Sequence, residues 1–355
     1  MTGRGIDQVL PHPGDPRLQE PDVRSAHTYV ELAERANGSI PRPADVAYVW
    51  GDALEELGRR APDARVVNLE TAVTRHDESW KGKEVHYRMH PDNVGCLTAA
   101  HIDCCVLANN HVLDYGRAGL LETLDALEHA RVRTAGAGRH LADARAPAVI
   151  PVPSKGRVIV FGVGTETSGI PRGWAATEDQ PGLDLLKDLS DATLARIQDA
   201  VAAVKRPGDV VITSIHWGSN WGFGVPRAHV RFAHGLIAAG VDVVHGHSAH
   251  HVRPIEIFEG RLILYGCGEL LDDYEGIGGC EAFRPDLASL FFASVDPSTG
   301  RLGQLRVTPM QIRNFRLNRA SRRDAEWLRA TIHRTSRAFG LSIELGDDGT
   351  LAVRP

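Results

Sequence analysis

Several polar side chains of the kinds that bind divalent metal ions follow apolar runs of the sequence. Glu70 ends the run VVNLE, Asn110 follows CCVLAN, and histidines follow the runs DVVITSI and VDVV. A hard or borderline divalent ion takes carboxylate, amide-oxygen and imidazole ligands. A two-metal site needs such ligands from both sides, with one group bridging the ions. The residues that supply this mixture, and so predict a two-metal site, are Glu70, Asn110, His216, His247 and His250.

The order of these residues carries more weight than any one of them. A glutamate such as Glu70 at a strand end is more often a cap or a surface group, and a lone histidine such as His216 is more often a half-buried hydrogen-bonding side chain. An acid, an Asn-His pair, a histidine and a His-x-x-His follow one another here, each at the end of an apolar run. This joint pattern indicates a functional site.

The elements that must position these residues alternate along the chain. From about residue 64, short β-rich runs and helical stretches follow one another, which predicts strands buried between helices. After Pro285 the apolar runs LASLFFASV and LGQLRVTPM are joined by a turn-rich segment, which predicts a hairpin and a mixed α/β core of two sheets. Because ligands bind at the carboxyl ends of strands in open α/β sheets, we expect the candidate ligands to share one sheet edge. Helices are predicted near residues 92–101, 190–205, 227–239 and 322–338.

Longer motifs around these residues resemble a known family. The segments VVNLETAVT, LANNHVLDYGRAGLLETLDAL, TAGAGRHLADARAP, SIHWG and GVDVVHGHSAHHVRPIEIFEGRLILYGCGE occur in the order typical of the CapA/PgsA poly-γ-glutamate biosynthesis family. That family belongs to the calcineurin-like metallophosphatase superfamily. The resemblance implies a layered α/β/β/α sandwich with mixed sheets and two divalent ions, Mn, Fe, Zn or Mg. We expect this domain over residues 1–310 and a helix-and-hairpin appendage over residues 311–355.

The resemblance also implies roles for individual residues. Glu70 would take the bridging-carboxylate position and Asn110 would bind one ion. His111 would donate a proton to the leaving group or stabilise the developing charge, and Asp114 would orient His111. His216 and histidines of the GHSAHH segment would complete the two ion sites.

Two departures from the family pattern are visible. The family usually has G-x-H-P-H where this chain has GHSAHH, so the choice between His247, His250 and His251 stays open, with His247 and His250 favoured. The family's first strand ends in Gly-Asp and leads into a motif that resembles Met1-Thr2-Gly3-Arg4. We therefore expect this first strand and the first aspartate ligand upstream of Met1, outside the sequence.

Two further features near these motifs have competing interpretations. Asp52 could substitute for that aspartate, but Asp52 followed by Glu55 favours a helix capping box. The aromatic residues Trp217, Trp221 and Phe223 beside the SIHWG motif either line a substrate cleft or pack in the interior, and the sequence favours neither.

Composition and charge exclude some partners. The formal charge of −5 comes from interspersed acids and bases without a long basic run, so a nucleic-acid partner is not expected. The sequence has no apolar stretch long enough for a membrane span and no apolar leader at its start, which predicts a cytoplasmic location. The expected partner is a small-molecule, peptide or polymer substrate.

Two functions fit this sequence. The first is metal-dependent hydrolysis of a phosphoester or of a γ-glutamyl or capsular polymer, with His111 handling the leaving group. The second is a non-catalytic accessory role in poly-γ-glutamate or capsule synthesis or export, with a degenerate metal site.

Overall fold

The computed structural model describes residues 1–354. The helices predicted near residues 190–205, 227–239 and 322–338 are present, and their ends agree to within two residues. The helix predicted near 92–101 is instead a short turn followed by five helical residues. None of the helices in the described range is both long and apolar enough to cross a bilayer. The α-helices in residues 1–354 are α1 (His27–Asn37), α2 (Ala53–Arg60), α3 (Gly95–Ala99), α4 (Gly116–His129), α5 (Leu141–Arg145), α6 (Asp191–Val204), α7 (Arg227–Ala238) and α8 (Arg322–Ser336).

The β-strands of the same residues form three larger sheets and two short ladders. They are β1 (Val66–Asn68), β2 (Ala72–Val73), β3 (Arg88–Met89), β4 (Cys104–Val106), β5 (Arg133–Ala135), β6 (Ala137–Gly138), β7 (Ala148–Val152), β8 (Gly156–Gly164), β9 (Gly182–Leu183), β10 (Asp209–His216), β11 (Val243–His247), β12 (Ile255–Phe258), β13 (Arg261–Leu264), β14 (Leu287–Val295), β15 (Leu302–Arg313), β16 (Arg316–Arg319), β17 (Ser342–Leu345) and β18 (Leu351–Arg354).

The largest sheet has the strand order β12-β13-β11-β10-β8-β7. Strands β8, β10, β11 and β13 are parallel, while β12 and β7 pair antiparallel at the two edges. The central strands are runs of Val and Ile, as expected for parallel strands buried on both faces. In this register His216 pairs with His247, so both histidines end their strands at the same edge.

A second, parallel sheet has the order β1-β4-β5. Its side chains alternate between two cores: Cys105 packs with α2 and α4, whereas Cys104 and Val106 pack against Ile150 and Val160 of the largest sheet. The other face of the largest sheet is covered by α6 and α7. These layers confirm the predicted α/β/β/α sandwich with mixed sheets.

The third sheet is antiparallel, with the order β14-β15-β18-β17, and β16 pairs with β15. The predicted hairpin over LASLFFASV and LGQLRVTPM is the pair β14-β15. The division predicted at residue 310 falls inside β15, and β18 of the expected appendage pairs with β15 in the same sheet.

The capping-box interpretation of Asp52 is wrong. Asp52 does occupy the position before α2, but its side chain accepts no hydrogen bond from the first turn of that helix. Its carboxylate instead accepts hydrogen bonds from the backbone N of Arg319, at 2.9 Å, and from the Arg316 guanidinium, at 3.5 Å. Asp52 therefore fixes β16 against the start of α2.

Substitution of Phe232 on α7 tests how much the packing of the helix layer on β10 and β11 contributes to stability. The side chain is 1% exposed and packs in the core formed with Ile215 and Val244. We expect Phe232→Ala to lower the free energy of unfolding by about 3–5 kcal/mol, because it leaves a cavity, and Phe232→Leu to cost clearly less. Urea unfolding measures both variants, and equal losses for the two would contradict the packing described here.

Candidate active site

The site begins with two histidines at the ends of neighbouring strands. His216 Nδ1 and His247 Nδ1 lie 2.7 Å apart, and the two rings are tilted at 50°. Both side chains are buried. Between His245 and His247 the chain needs Gly246, because a Cβ there would lie 2.6 Å from the Leu264 carbonyl oxygen of the next strand. The tight packing of β11 on β13 thus fixes where His247 lies.

A directed chain of hydrogen bonds runs through these histidines. Asn110 Oδ1 only accepts, so His216 Nε2 donates to it at 3.0 Å, and His216 Nδ1 must then accept from His247 Nδ1. His247 Nε2 accepts in turn from Ser214 Oγ at 2.9 Å, and Ser214 Oγ accepts from His245 Nδ1 at 2.9 Å. The chain is consistent only when the His216 and His247 rings are neutral, since each of them must present one N–H and one unprotonated nitrogen.

Burial keeps these rings neutral. It lowers the pKa of His216 to about 3 and that of His245 to about 4. It also places the pKa of His247 well below its ordinary value, and the neighbouring His216 and His245 lower it further. Neutral imidazole is the form of histidine that binds metal ions.

Glu70 approaches the same histidine from the second sheet. It follows β1, its Oε2 accepts from Asn68 Nδ2 at 2.9 Å, and its Oε1 lies 3.7 Å from His216 Nε2. Asn109 holds the adjoining loop, because its Oδ1 accepts from the backbone N of His111 at 3.1 Å and its Nδ2 donates to the Leu69 carbonyl at 2.9 Å. Glu70 and Asn110 therefore reach His216 from one rigid edge.

His111 and Asp114 form a pair beside this edge. His111 Nδ1 donates to Asp114 Oδ2 at 2.7 Å, and the backbone N of Tyr87 donates to the same oxygen at 2.6 Å. The Tyr87 ring meets the His111 ring edge-on, at 4.6 Å between centroids. Burial lowers the pKa of His111 well below its ordinary value, and the Lys83 ammonium lowers it further. Burial raises the pKa of Asp114 to about 6.

Lys83 is a site residue that the sequence reasoning missed. Its Nζ contacts Asp114 Oδ1, lies 2.8 Å from His111 Nδ1 and donates to the backbone O of Asn110 at 2.5 Å. Burial lowers the pKa of Lys83. The segment WKGKE has the composition of an exposed loop, so no local pattern marks this lysine.

His250 lies in a second group of side chains. It contacts Glu269, a residue that the sequence analysis did not single out, and its ring centroid lies 5.4 Å from that of Trp221 and 5.3 Å from that of Tyr274. Burial alone would lower the pKa of His250, but the ionised Glu269 raises it above its ordinary value. The structure thus brings Asn110, His216 and His247 into one hydrogen-bonded network, with Glu70 Oε1 3.7 Å from His216 Nε2 and His250 outside the network.

The turn that separates His247 from His250 is strained. Ser248 has a φ of 107°, a conformation that costs a non-glycine residue about 1–3 kcal/mol. Its hydroxyl donates to the Gly218 carbonyl at 3.1 Å, which holds the turn in place. Such strain is common at functional sites and supports a role for this turn.

The aromatic residues beside His216 divide into two environments. Trp217 is 1% exposed, stacks on His229 at 4.5 Å between centroids and donates from Nε1 to the Tyr265 carbonyl, so it belongs to the interior. Trp221 and Phe223 are half-buried and pack on Phe283, next to His250 and His251. Of the three aromatic residues, only Trp221 and Phe223 are partly exposed.

The donor atoms around His216 Nε2 suit a metal ion in type and spacing. Two ligands that each lie about 2.1 Å from one ion are roughly 3.0–3.6 Å apart for angles of 90–120°. Asn110 Oδ1 lies 3.0 Å from this nitrogen, within that range, and Glu70 Oε1 lies just beyond it at 3.7 Å. No three His, Cys, Asp or Glu side chains in residues 1–354 form such a group by themselves, so an ion held here would need the amide oxygen of Asn110 as a ligand. Both nitrogens of His247 are engaged in hydrogen bonds, so its coordination would require these bonds to rearrange.

Comparison with known proteins agrees with the sequence resemblance. The family model described as bacterial capsule synthesis protein PGA_cap matches residues 1–274. A probable polyglutamine synthesis accessory protein of Mycobacterium tuberculosis is 50% identical over 356 residues, which cover all of this chain and 94% of that protein. The PGA biosynthesis protein CapA of Bacillus subtilis is 29% identical over 216 residues, 60% of this chain and 54% of that protein. The capsule biosynthesis protein CapA of Bacillus anthracis is 28% identical over 191 residues, 54% of this chain and 45% of that protein.

The buried pair of His250 and Glu269 predicts a pH dependence of stability in chelator-treated protein. His250 raises stability most below its unfolded pKa of about 6.5, and Glu269 does so above its unfolded pKa of about 4.3. We therefore expect Glu269→Gln to destabilise by at most about 3–5 kcal/mol between these values, and by less both at lower pH and above the raised pKa of His250. Urea unfolding across pH measures this difference, and a loss that is constant with pH would contradict the ion pair.

Proposed function

Since this chain belongs to the bacterial capsule synthesis protein family PGA_cap, we propose that it is a metal-dependent hydrolase that acts in capsule or poly-γ-glutamate synthesis. The convergence of Asn110 Oδ1 and Glu70 Oε1 on His216 Nε2 carries this proposal. The names of the Mycobacterium and Bacillus relatives support the place in polymer synthesis.

The residues that would hold divalent ions are Glu70, Asn110 and His216, with one or two histidines of the segment 247–251. Bound ions of this kind lower the pKa of a water molecule and stabilise charge that develops on the attacked group. In the hydrogen-bonded network His216 Nε2 carries a proton, which it donates to Asn110. Before Nε2 can bind a metal ion, this proton must leave or the ring must change to the tautomer that is protonated at Nδ1. The chain of His247, Ser214 and His245 can accept that change by reversing its donors and acceptors.

His111 is placed to move a proton at Nε2. Its Nδ1 is held by Asp114, so a neutral ring presents Nε2 as an acceptor and a protonated ring presents it as a donor. Asp114 fixes the tautomer of the ring, while burial and the Lys83 ammonium keep the ring neutral, so His111 begins as a proton acceptor. This arrangement suits a group that takes up a proton and returns it to a leaving oxygen or nitrogen.

Both a phosphoester and a γ-glutamyl amide are candidate substrates of the proposed hydrolase. A phosphoester and a γ-glutamyl amide both place a polar oxygen beside the ions and a leaving atom beside His111. Trp221 and Phe223 offer half-buried apolar surface for the adjoining part of a small-molecule, peptide or polymer substrate. The cytoplasmic location stays a prediction of the sequence.

A second candidate is a non-catalytic accessory role. Both ring nitrogens of His247 are already hydrogen-bonded. The relative at 50% identity is named an accessory protein. In this alternative the same edge binds a polymer or protein partner without turnover.

Metal analysis of the purified protein, together with turnover assays, separates the two functions. The protein is loaded in turn with Mn, Fe, Zn or Mg and assayed on a generic phosphodiester and on a γ-glutamyl peptide. Metal-dependent cleavage of either substrate supports the hydrolase, and its absence in protein that holds stoichiometric metal favours the accessory role.

Variants of His111 and Glu70 test the assigned roles. We expect His111→Ala to retain metal and lose about 10²–10⁴-fold in kcat, because proton transfer is removed. Glu70→Ala should lose metal as well as activity. The exposed His129→Ala is the matched control and should change neither. Full metal content with unchanged turnover in the Glu70 variant would remove its bridging role.

A further inference from the structure

Arginine is concentrated in one part of the chain that the proposed function leaves unused. Residues 301–337 contain ten arginines, no lysine and two acidic residues, although the formal charge of the whole chain is −5. The family match ends at residue 274, so this segment lies outside it. Helix α8 forms most of the second half of the segment. The basic charge therefore belongs to a part of the protein that the family match does not explain.

Helix α8 has one buried face and one basic face. Leu328 and Ile332 are buried in the core that the helix shares with β11 and β12. Arg323 and Arg334 are exposed and lie eleven residues apart, which is about three turns, so they share one face of the helix. The half-buried Trp327 lies between them on that face. The apolar face thus anchors the helix and leaves the two arginines in solvent.

The arginines of this face are not neutralised within the described chain. In residues 1–354, the ion pairs of α8 engage only Arg329 and the two acidic residues of the helix. Arg323, Arg334 and the exposed Arg337 just after the helix form no such pair, and we call these three residues the arginine row. At a rise of 1.5 Å per residue the row is about 20 Å long. Its guanidinium groups are available to an external anion.

One end of the arginine row meets the aromatic residues beside the candidate active site. The guanidinium carbon of Arg334 lies 4.9 Å from the centroid of the Phe223 ring, a distance typical of cation–π contacts. The Phe223 ring lies 5.2 Å from that of Phe283, Phe283 lies 5.4 Å from Trp221, and Trp221 lies 5.4 Å from His250. A continuous series of rings therefore connects the arginine row with the edge of the candidate active site.

The loop that carries Phe283 is fastened to the same helix. Arg284 donates to Asp324 Oδ1 at 2.8 Å, and its guanidinium carbon lies 5.8 Å from the Trp327 ring. Asp324 is held in turn by Ser321, whose hydroxyl caps the helix. The rings and the arginine row thus keep a fixed relation to each other. A ligand that contacts both loses less free energy in ordering them, which favours binding.

We propose that the arginine row and the adjoining rings bind a linear polymer whose units carry carboxylates, next to the candidate active site. This inference rests on the proposed role in capsule or poly-γ-glutamate synthesis and narrows the substrate to a polyanion. A guanidinium group binds a carboxylate through two parallel N–H···O bonds, and the methylene groups of glutamyl units can pack on the rings. Because the whole chain is acidic, a long polyanion is attracted at the row and repelled elsewhere, so a short stretch of it binds here.

Fluorescence anisotropy with labelled poly-γ-glutamate tests the proposal on the full chain. The measurement is made in EDTA, so that it requires no turnover. We expect the double variant Arg323→Gln, Arg334→Gln to bind about tenfold more weakly or worse, because two charge-assisted contacts are lost, and added salt to weaken binding by the unaltered protein. Arg131→Gln is the matched control, since it removes an exposed arginine after α4 and should leave the affinity unchanged.

Several outcomes would overturn the proposal. They are no binding by the unaltered chain, equal affinity of the double variant, or an equal loss in the Arg131 control, which would show an effect of net charge alone. Neutral polyglutamine should not displace the labelled polymer, and displacement as effective as that by polyglutamate would exclude carboxylate recognition. A single-stranded oligonucleotide that binds more tightly through the same two arginines would show a nucleic-acid site instead.

The same variants separate this proposal from the proposed hydrolase activity. The double variant changes residues outside the candidate metal site, so metal-dependent cleavage of a generic small phosphodiester should equal that of the unaltered protein. Loss of the polymer site alone would leave this cleavage in place. A protein without any hydrolase activity would still show the difference in anisotropy between the double variant and the Arg131 control.

Discussion

The parallel pairing of β10 with β11 is the constraint on which the candidate site depends. It sets His216 opposite His247, and a shift of one residue would move one of the two side chains to the other face of the sheet. The register is held by apolar side chains on both faces, because Ile215 and Val244 pack under α7 on one face and Val243 packs in the core on the other. The burial of apolar side chains on β10 and β11 thus determines where the polar side chains His216 and His247 lie.

The second sheet then determines what meets these histidines. Asn110 and Glu70 follow β4 and β1, and the packing of Val106 against Val160 presses that sheet onto the largest one. Asn110 Oδ1 only accepts hydrogen bonds, and this single fact orients the donors from His216 to His245. Burial keeps the rings neutral, which is the form in which histidine nitrogens bind metal ions.

The sequence predicted the strand ends well because apolar runs and the polar residues after them obey a general rule of α/β sheets. The sequence did not reveal Lys83 as a site residue, because the three partners that hold it in the interior, including Asp114, lie far from it along the chain. The local pattern at Asp52 also led to a wrong capping-box prediction, because the carboxylate accepts hydrogen bonds from Arg316 and Arg319 instead. Local sequence patterns thus located the strand ends that carry the site, whereas contacts between residues distant in sequence determine which other side chains surround it.

The position of Glu70 shows how the layers and the chemistry are linked. Glu70 lies one residue beyond Leu69, which follows β1, and β1 is fixed on one side only, by β4. Any movement of β1 therefore changes the angle at which Glu70 approaches His216, whose Nε2 is 3.7 Å from Glu70 Oε1. Since a shift of about 1 Å can remove a ligand from coordination distance, the central layer of the sandwich sets the spacing of the donor atoms of the proposed metal site.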